Sequence, residues 1–335
     1  MKNVLYIGNA LSKSKGTPTV IETLSAHLKS FCNVKVASDQ PNQVLRLLDM
    51  IRLVFNYRSQ TDLVLIDTYS TLNFYYALII SQLCRVFKIP YICILHGGNL
   101  ENRLKKSPKL CGLLFHNAQT IVAPSPFLKS VFERYGYEEL LYIPNSIELQ
   151  NYEFTDRPID GINLLWVRSF SSLYNPEQAV LVLEALLHMN YDATLTMIGP
   201  EVDGSLAKTK ALAEEKGLKV NFTGKLSKAE WLAYSKDCTI FINTTDVDNT
   251  PVSVIEAMAL GLPVVSTNVG GLPYLISDGH DGLLVPPRDV KAMVAAIINL
   301  KTDDSLRLKL VTTARAKVEN FSWDAVRPQW EALLS

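Results

Sequence analysis

Short runs of Val, Ile and Leu alternate with longer amphipathic segments along almost the whole chain. Such runs suit strands of a parallel sheet covered on both faces, because neither side of the strand then meets water. In the first half they predict strands at 4–8, 34–38, 63–67, 91–96, 120–124 and 140–144. Between them, helices are expected at 17–30, 42–55, 74–87 and 126–135. A polar stretch, IELQNYEFTDRPIDG, interrupts the alternation and is expected to link two domains. A second series opens at 162–167 and continues at 193–198, 220–223, 239–243, 263–266 and 282–285. The chain ends in helices bearing Phe321, Trp323 and Trp330. The class is therefore α/β, with two doubly wound, Rossmann-like domains. Ligands of such sheets bind outside the carboxyl ends of the strands, so an interdomain cleft is expected.

Length supports the division. The chain has 335 residues, and domains typically run to about 150. The expected units are 1–150 and 160–320. Lys+Arg and Asp+Glu both total 33, a balance without the basic excess of a nucleic-acid binder. The halves differ, since residues 1–150 carry 16 basic against 10 acidic side chains. That excess suits an anionic partner such as a membrane surface or a phosphorylated acceptor. The five cysteines are scattered and lack C-x-x-C spacing, as expected of buried thiols in a reducing cytoplasm. No signal peptide precedes the first strand, and the longest apolar region, 74–96, is broken by Arg85, Lys88 and Pro90. A cytoplasmic location follows as an expectation.

The candidate chemistry lies mostly at strand ends. Gly8 and Gly16 bracket a small polar loop, GNALSKSKG, before a helix opening at Thr17-Pro18. This is not G-x-G-x-x-G, which counts against a nicotinamide site. His96 closes a strand in ILHGGN, and its two glycines allow close approach of a ligand. Arg168 ends another strand and is placed to neutralise phosphates. Asp246 and Asp248 form D-x-D, a short pattern common by chance, and no His/Cys/Glu grouping has metal-ligand spacing. No metal or other cofactor is expected. Glu256 sits one turn into a short helix whose start, at Ser253 and Val254, offers free amides to a phosphate. A carboxylate at that depth suits the paired hydroxyls of a ribose.

With these residues in view, the chain resembles the family-4 retaining glycosyltransferases, whose fold is GT-B. The strongest block is EAMALGLPVVSTNVGGLPYLI with DGLLVPP; ILHGG, APSPFLKSVFERYG, IPNSI and FTGKLSKAEW are weaker matches. The resemblance implies transfer of a sugar, of hexosyltransferase type, from a nucleotide-diphosphate sugar to an acceptor hydroxyl, with retention and without a metal. It assigns nucleotide-sugar binding to 160–320 and acceptor binding to 1–150, with residues 321–335 packing back on the latter. The family motif Glu, seven residues, Glu becomes Asp248 and Glu256 here. Glu256 is then expected on the ribose, Asp248 on the donor sugar, and Asn249 and Thr250 near that sugar. Ser253 and Val254 are expected at phosphate, and Gly16, Thr17 and Gly270–Gly271 around it. Arg168 matches the family's diphosphate Arg, but the Lys that follows it falls near Tyr174 or Asn175, neither of them cationic. Tyr174 or Lys225 is expected to compensate. His96 is expected to orient the donor sugar or acceptor.

The acceptor, a glycan or a lipid-linked one, is expected to be read by the first half in surface polysaccharide or glycolipid assembly. Peripheral membrane contact is expected through 44–58, an apolar stripe with Arg46, Arg52 and Arg58, and through 103–109. Two rivals remain at this stage: a non-catalytic nucleotide-sugar-binding protein, prompted by the missing Lys, and a GT-B-like nucleotide-sugar epimerase.

Overall fold

The computed structural model describes residues 1–12 and 19–335. It divides into two units, Met1–Asn145 with Val326–Ser335, and Ser146–Ala325.

Unit 1 holds β1 (Asn3–Ile7), α1 (Val20–Leu28), β2 (Asn33–Ala37), α2 (Gln43–Tyr57), β3 (Leu63–Thr68), α3 (Asn73–Phe87) and β4 (Tyr91–Leu95). It continues with α4 (Leu100–Lys106), α5 (Pro108–Phe115), β5 (Thr120–Ala123), α6 (Pro126–Arg134) and β6 (Leu140–Tyr142). The strands lie in the order β2-β1-β3-β4-β5-β6, all parallel. Every residue of β3 and β4 is buried, as their unbroken apolar runs require. Helix starts follow local chemistry. The Asn42 side chain accepts from the amides of Val44 and Leu45, and Ser125 accepts from Leu128 with Pro126 in the first turn.

Unit 2 holds β7 (Ile162–Val167), α7 (Pro176–His188), β8 (Ala193–Ile198), α8 (Ser205–Glu215), β9 (Asn221–Gly224), α9 (Lys228–Ser235) and β10 (Ile240–Asn243). Then come α10 (Val252–Ala259), β11 (Val264–Thr267), α11 (Leu272–Leu275), β12 (Leu283–Val285), α12 (Val290–Thr302) and α13 (Asp304–Glu319). Its parallel sheet runs β12-β11-β10-β7-β8-β9. In both sheets the strand order reverses once, between β1 and β3 in unit 1 and between β7 and β10 in unit 2. These switch points are where α/β sheets hold ligands.

Two expectations change. The polar stretch 147–161 is not a free linker, because Ile147 and Tyr152 are buried in a hydrophobic cluster of unit 2 with Val254, Ala257 and Phe321. Ile159 is buried in the other cluster of unit 2, so a few apolar anchors fasten a polar sequence. The last helix, α14 (Trp323–Leu334), starts in unit 2 and finishes among the residues of unit 1, with Val326, Trp330 and Leu334 buried. Phe321 itself packs in unit 2, so the change of unit comes at 326 and not at 321. The first predicted helix is described only from Val20, and Gly16 and Thr17 lie outside the described residues.

Candidate functional site

In unit 2 the switch point brings Arg168 and Asp248 together. Arg168 follows β7 and Asp248 lies on the loop after β10, and they form an ion pair through Nη2 and Oδ2. Both are largely withdrawn from water, at 13% and 12% exposure. The Arg168 guanidinium also lies over the Tyr174 ring, 3.9 Å from its centroid, a cation–π contact. Its Nε is buried without a partner among the described residues. Burial pushes the Asp248 carboxyl above the ordinary Asp range, while Arg168 and the Asn249 amide pull it back. The expected roles therefore need adjustment. Tyr174 supports Arg168 from below through its ring, and Arg168 is already engaged by the carboxylate expected to meet the sugar.

The D-x-D pair is divided between two arginines. Asp246 takes the Arg288 guanidinium in a two-pronged contact, with Nε at 3.1 Å and Nη2 at 2.8 Å. It is thus a partnered group, engaged by a cation and not left as one half of a metal-binding pair.

The loop carrying Asp248, Asn249 and Thr250 is held by Gly270 and Gly271. The Gly271 amide donates to the Asp248 carbonyl at 2.9 Å. A Cβ on Gly271 would stand 1.8 Å from the Asn249 carbonyl oxygen, and one on Gly270 2.1 Å from that of Asp248. Gly270 also has φ +53. The double glycine is required because two backbones touch there; the structure gives it this packing role beside the expected one at phosphate.

Helix α10 begins at Val252 after Pro251. The amides of Val254 and Ile255 already bond to the Pro251 carbonyl, which leaves the earlier turn open. Val254 is wholly buried, so its side chain is core. Ser253 Oγ, by contrast, is a buried hydroxyl without a partner among the described residues. One turn on, Glu256 is 6% exposed. Its Oε1 accepts from the Tyr152 hydroxyl at 2.7 Å and pairs with Lys228. Burial and the Glu256 charge push the Tyr152 hydroxyl well up, which keeps it a donor. Lys228 also lies over the Tyr152 and Trp231 rings, at 5.4 and 5.2 Å. Glu256 Oε2 is left without a hydrogen bond among the described residues. Lys225 stands exposed just beyond edge strand β9.

Sequence reasoning missed Tyr152 and Lys228. Tyr152 is 104 residues from Glu256 and sat in the stretch read as a linker. For Lys228 the signal was available, since FTGKLSKAEW places it first in α9, directly after the capping Ser227.

In unit 1 the switch point holds a second polar group. His96, just past β4, lies 2.8 Å by Nε2 from Asp67 Oδ1, and the Tyr6 hydroxyl donates to the same oxygen at 3.0 Å. Asp67 is fully buried and was not singled out from the sequence. The His96 ring stacks on Tyr69, with centroids 4.8 Å apart.

Residues 154–317 match the family described as glycosyl transferases group 1. Unit 2 is a group 1 glycosyltransferase domain. The D-inositol 3-phosphate glycosyltransferase of Acidothermus cellulolyticus is 31% identical over 176 residues, 50% of this chain and 39% of that protein. The amylovoran biosynthesis glycosyltransferase AmsK of Erwinia amylovora is 42% identical over 74 residues, 22% of this chain and 18% of that one. The matched stretches thus span less than half the length of these curated relatives. Among solved structures, Anabaena HepE in complex with UDP and glucose aligns with a TM-score of 0.78 at 16% identity, over 100% of this chain and 99% of that one. Sucrose-phosphate synthase from Thermosynechococcus elongatus gives 0.82 at 17%, over 99% and 98%. At such identities the likeness is one of fold, and the fold of this chain is GT-B.

Proposed function

We propose that the protein transfers a hexosyl group, with retention and without a metal, from a nucleotide-diphosphate sugar to an acceptor hydroxyl in surface polysaccharide or glycolipid assembly. The observation that carries this reading is the arrangement at the unit 2 switch point. A guanidinium, Arg168, stands on the carboxyl side of the sheet. The open first turn of α10 and the unpartnered Ser253 hydroxyl supply donors for phosphate, and Glu256 keeps one free carboxylate oxygen for a ribose diol. Fixed donors of this kind stabilise the departing diphosphate as its charge develops. Asp248, Asn249 and Thr250 are assigned to the donor sugar, with Gly16, Thr17 and Lys225 completing the donor site. Anabaena HepE, solved in complex with UDP and glucose, favours a nucleotide sugar of this type.

Unit 1 is assigned the acceptor, with His96 orienting a sugar hydroxyl. Its α2 segment and residues 103–109 are proposed to rest on an anionic membrane surface. No helix among the described residues is long and apolar enough to cross one.

A non-catalytic binding protein is the second reading, favoured by one observation: Arg168 is paired with Asp248, and Tyr174 brings a ring where a second cation was expected. A thermal-shift screen of purified protein against UDP, GDP, ADP and their sugar conjugates, with and without Mg²⁺, tests both. A ligand at a hundredfold excess over Kd adds about 2.7 kcal/mol to the native state. We expect one nucleotide class to raise the midpoint without metal, and Glu256→Ala to abolish the rise. Binding without turnover of any sugar conjugate would favour the second reading, and no shift with any nucleotide would overturn the donor site.

A further inference from the structure

Asp67 is a carboxylate with no exposure to water, at the end of β3, and its two oxygens are treated differently. Oδ1 has two partners, the Tyr6 hydroxyl and His96 Nε2. Oδ2 has none. It lies where a side chain of residue 8 would be, since a Cβ on Gly8 would stand 2.3 Å from it. Burying a charged group with one oxygen unpaired is costly, and an apolar residue would pack in a parallel strand without that cost. What the carboxylate secures in return is the imidazole ring.

Three contacts fix that ring. Nε2 is held by Asp67, one face lies on Tyr69 with planes 20° apart, and the His96 amide donates to the Thr68 carbonyl at 2.9 Å. Burial and the Asp67 charge push the Tyr6 and Tyr69 hydroxyls well above their ordinary range, so both stay protonated beside the carboxylate. An ionised carboxylate only accepts, so Nε2 carries the hydrogen and Nδ1 is left as a bare acceptor. No described residue bonds to Nδ1. The next residue, Gly97, has φ +80 and open space where a Cβ would be, so the chain leaves room beside the ring.

We propose that Asp67 is a positioning residue that locks His96 in the Nε2–H tautomer, turning Nδ1 into the acceptor for a sugar hydroxyl. This rests on the proposed function for the identity of the hydroxyl, but the tautomer itself does not. Proton–nitrogen correlation spectra of the imidazoles in the whole protein read it directly, with His96 assigned by its loss in His96→Gln. We expect a protonated Nε2 and an unprotonated Nδ1 in the absence of any sugar. A protonated Nδ1, or an exchanging mixture, overturns the proposal whether or not the protein turns over a donor.

Kinetics supply the second arm. His96→Gln and Asp67→Ala should each lower kcat/KM about tenfold, and the double variant should lose no more than either alone. Losses that multiply would show that Asp67 acts by supporting the sheet, which also overturns it. Circular dichroism of Asp67→Ala serves as the folding control. Should that variant fail to fold, the tautomer of the unaltered protein still decides.

Discussion

Arg168 has two claims on one guanidinium. Asp248 holds Nη2, and a diphosphate would need the same donors. At about 4 Å and an effective dielectric of ~20, a pair of unit charges attracts by roughly 4 kcal/mol, so the carboxylate competes effectively with an incoming phosphate. Burial raises the Asp248 carboxyl, and the sign of the consequence follows. An acid whose pKa is raised in the fold costs stability when ionised, so that cost is present at neutral pH and fades as pH falls through the Asp248 range. Protonation over the same range releases Arg168. Asp248→Asn should therefore bind a nucleoside diphosphate about tenfold more tightly, a gain of roughly 1.4 kcal/mol, while sugar transfer falls. Titration calorimetry at stepped pH checks this. Wild-type affinity should climb toward that of the variant as pH drops, and equal affinities at neutral pH would show that the pair does not restrain Arg168. This residue-scale coupling was hidden from the sequence because the partners lie 80 positions apart. The Arg and the acid were each legible, but their contact depends on β7 and β10 being neighbours.

At the scale of elements, α2 and α3 are unusual in carrying apolar residues outward. Val44, Leu45, Leu48 and Phe55 on α2, and Tyr75, Ile79 and Val86 on α3, are all exposed large hydrophobics. Phe55 and Phe87 meet edge to face across the two helices, 5.0 Å between centroids, so these faces adjoin. Arg52, Arg58, Arg85 and Lys88 are exposed on the same two elements or at their ends. A second copy of the chain would set these cations against themselves, whereas an anionic bilayer attracts each by about 1 kcal/mol. Vesicles rich in anionic lipid should float the protein at low salt, less so at high salt. Leu48→Ser with Ile79→Ser should abolish flotation while shifting stability by no more than ~0.5 kcal/mol each, as surface changes do. Flotation unaffected by the double variant would remove the membrane from the proposed function. The apolar stripe pointed to α2 in advance but left open which side faced out. Met50 and Val54 are buried where Leu48 and Phe55 are not, yet all four are apolar. The strand runs were far easier to read, because β3 and β4 are buried on both faces and need no choice of side. Residues 147–161 misled in the opposite sense, since their composition is polar and a few apolar residues, Ile147, Tyr152 and Ile159, anchor them.

On the scale of the molecule, unit 1 is assembled from both ends of the chain. Lys2 Nζ donates to the Ser335 carbonyl at 2.5 Å, and Val326, Trp330 and Leu334 are buried in the stretch that belongs to this unit. Nothing in WDAVRPQWEALL states where its apolar face goes, as any amphipathic helix end reads alike, so the family resemblance and not the pattern supplied that expectation. Trp330→Ala removes a large side chain that is 3% exposed. The cost should be about 3–5 kcal/mol, borne by unit 1, because residues 326–335 group there. A chain of two units need not melt in one step, which makes the effect separable. Calorimetry of Trp330→Ala should show one transition lowered and another held. Adding the nucleotide that binds the wild type should raise the held transition, since Arg168, Ser253 and Glu256 of the assigned donor site all belong to unit 2. If instead a single transition falls as a whole and rises as a whole with nucleotide, the two units unfold together. The last helix would then stabilise the entire chain and not unit 1 in particular.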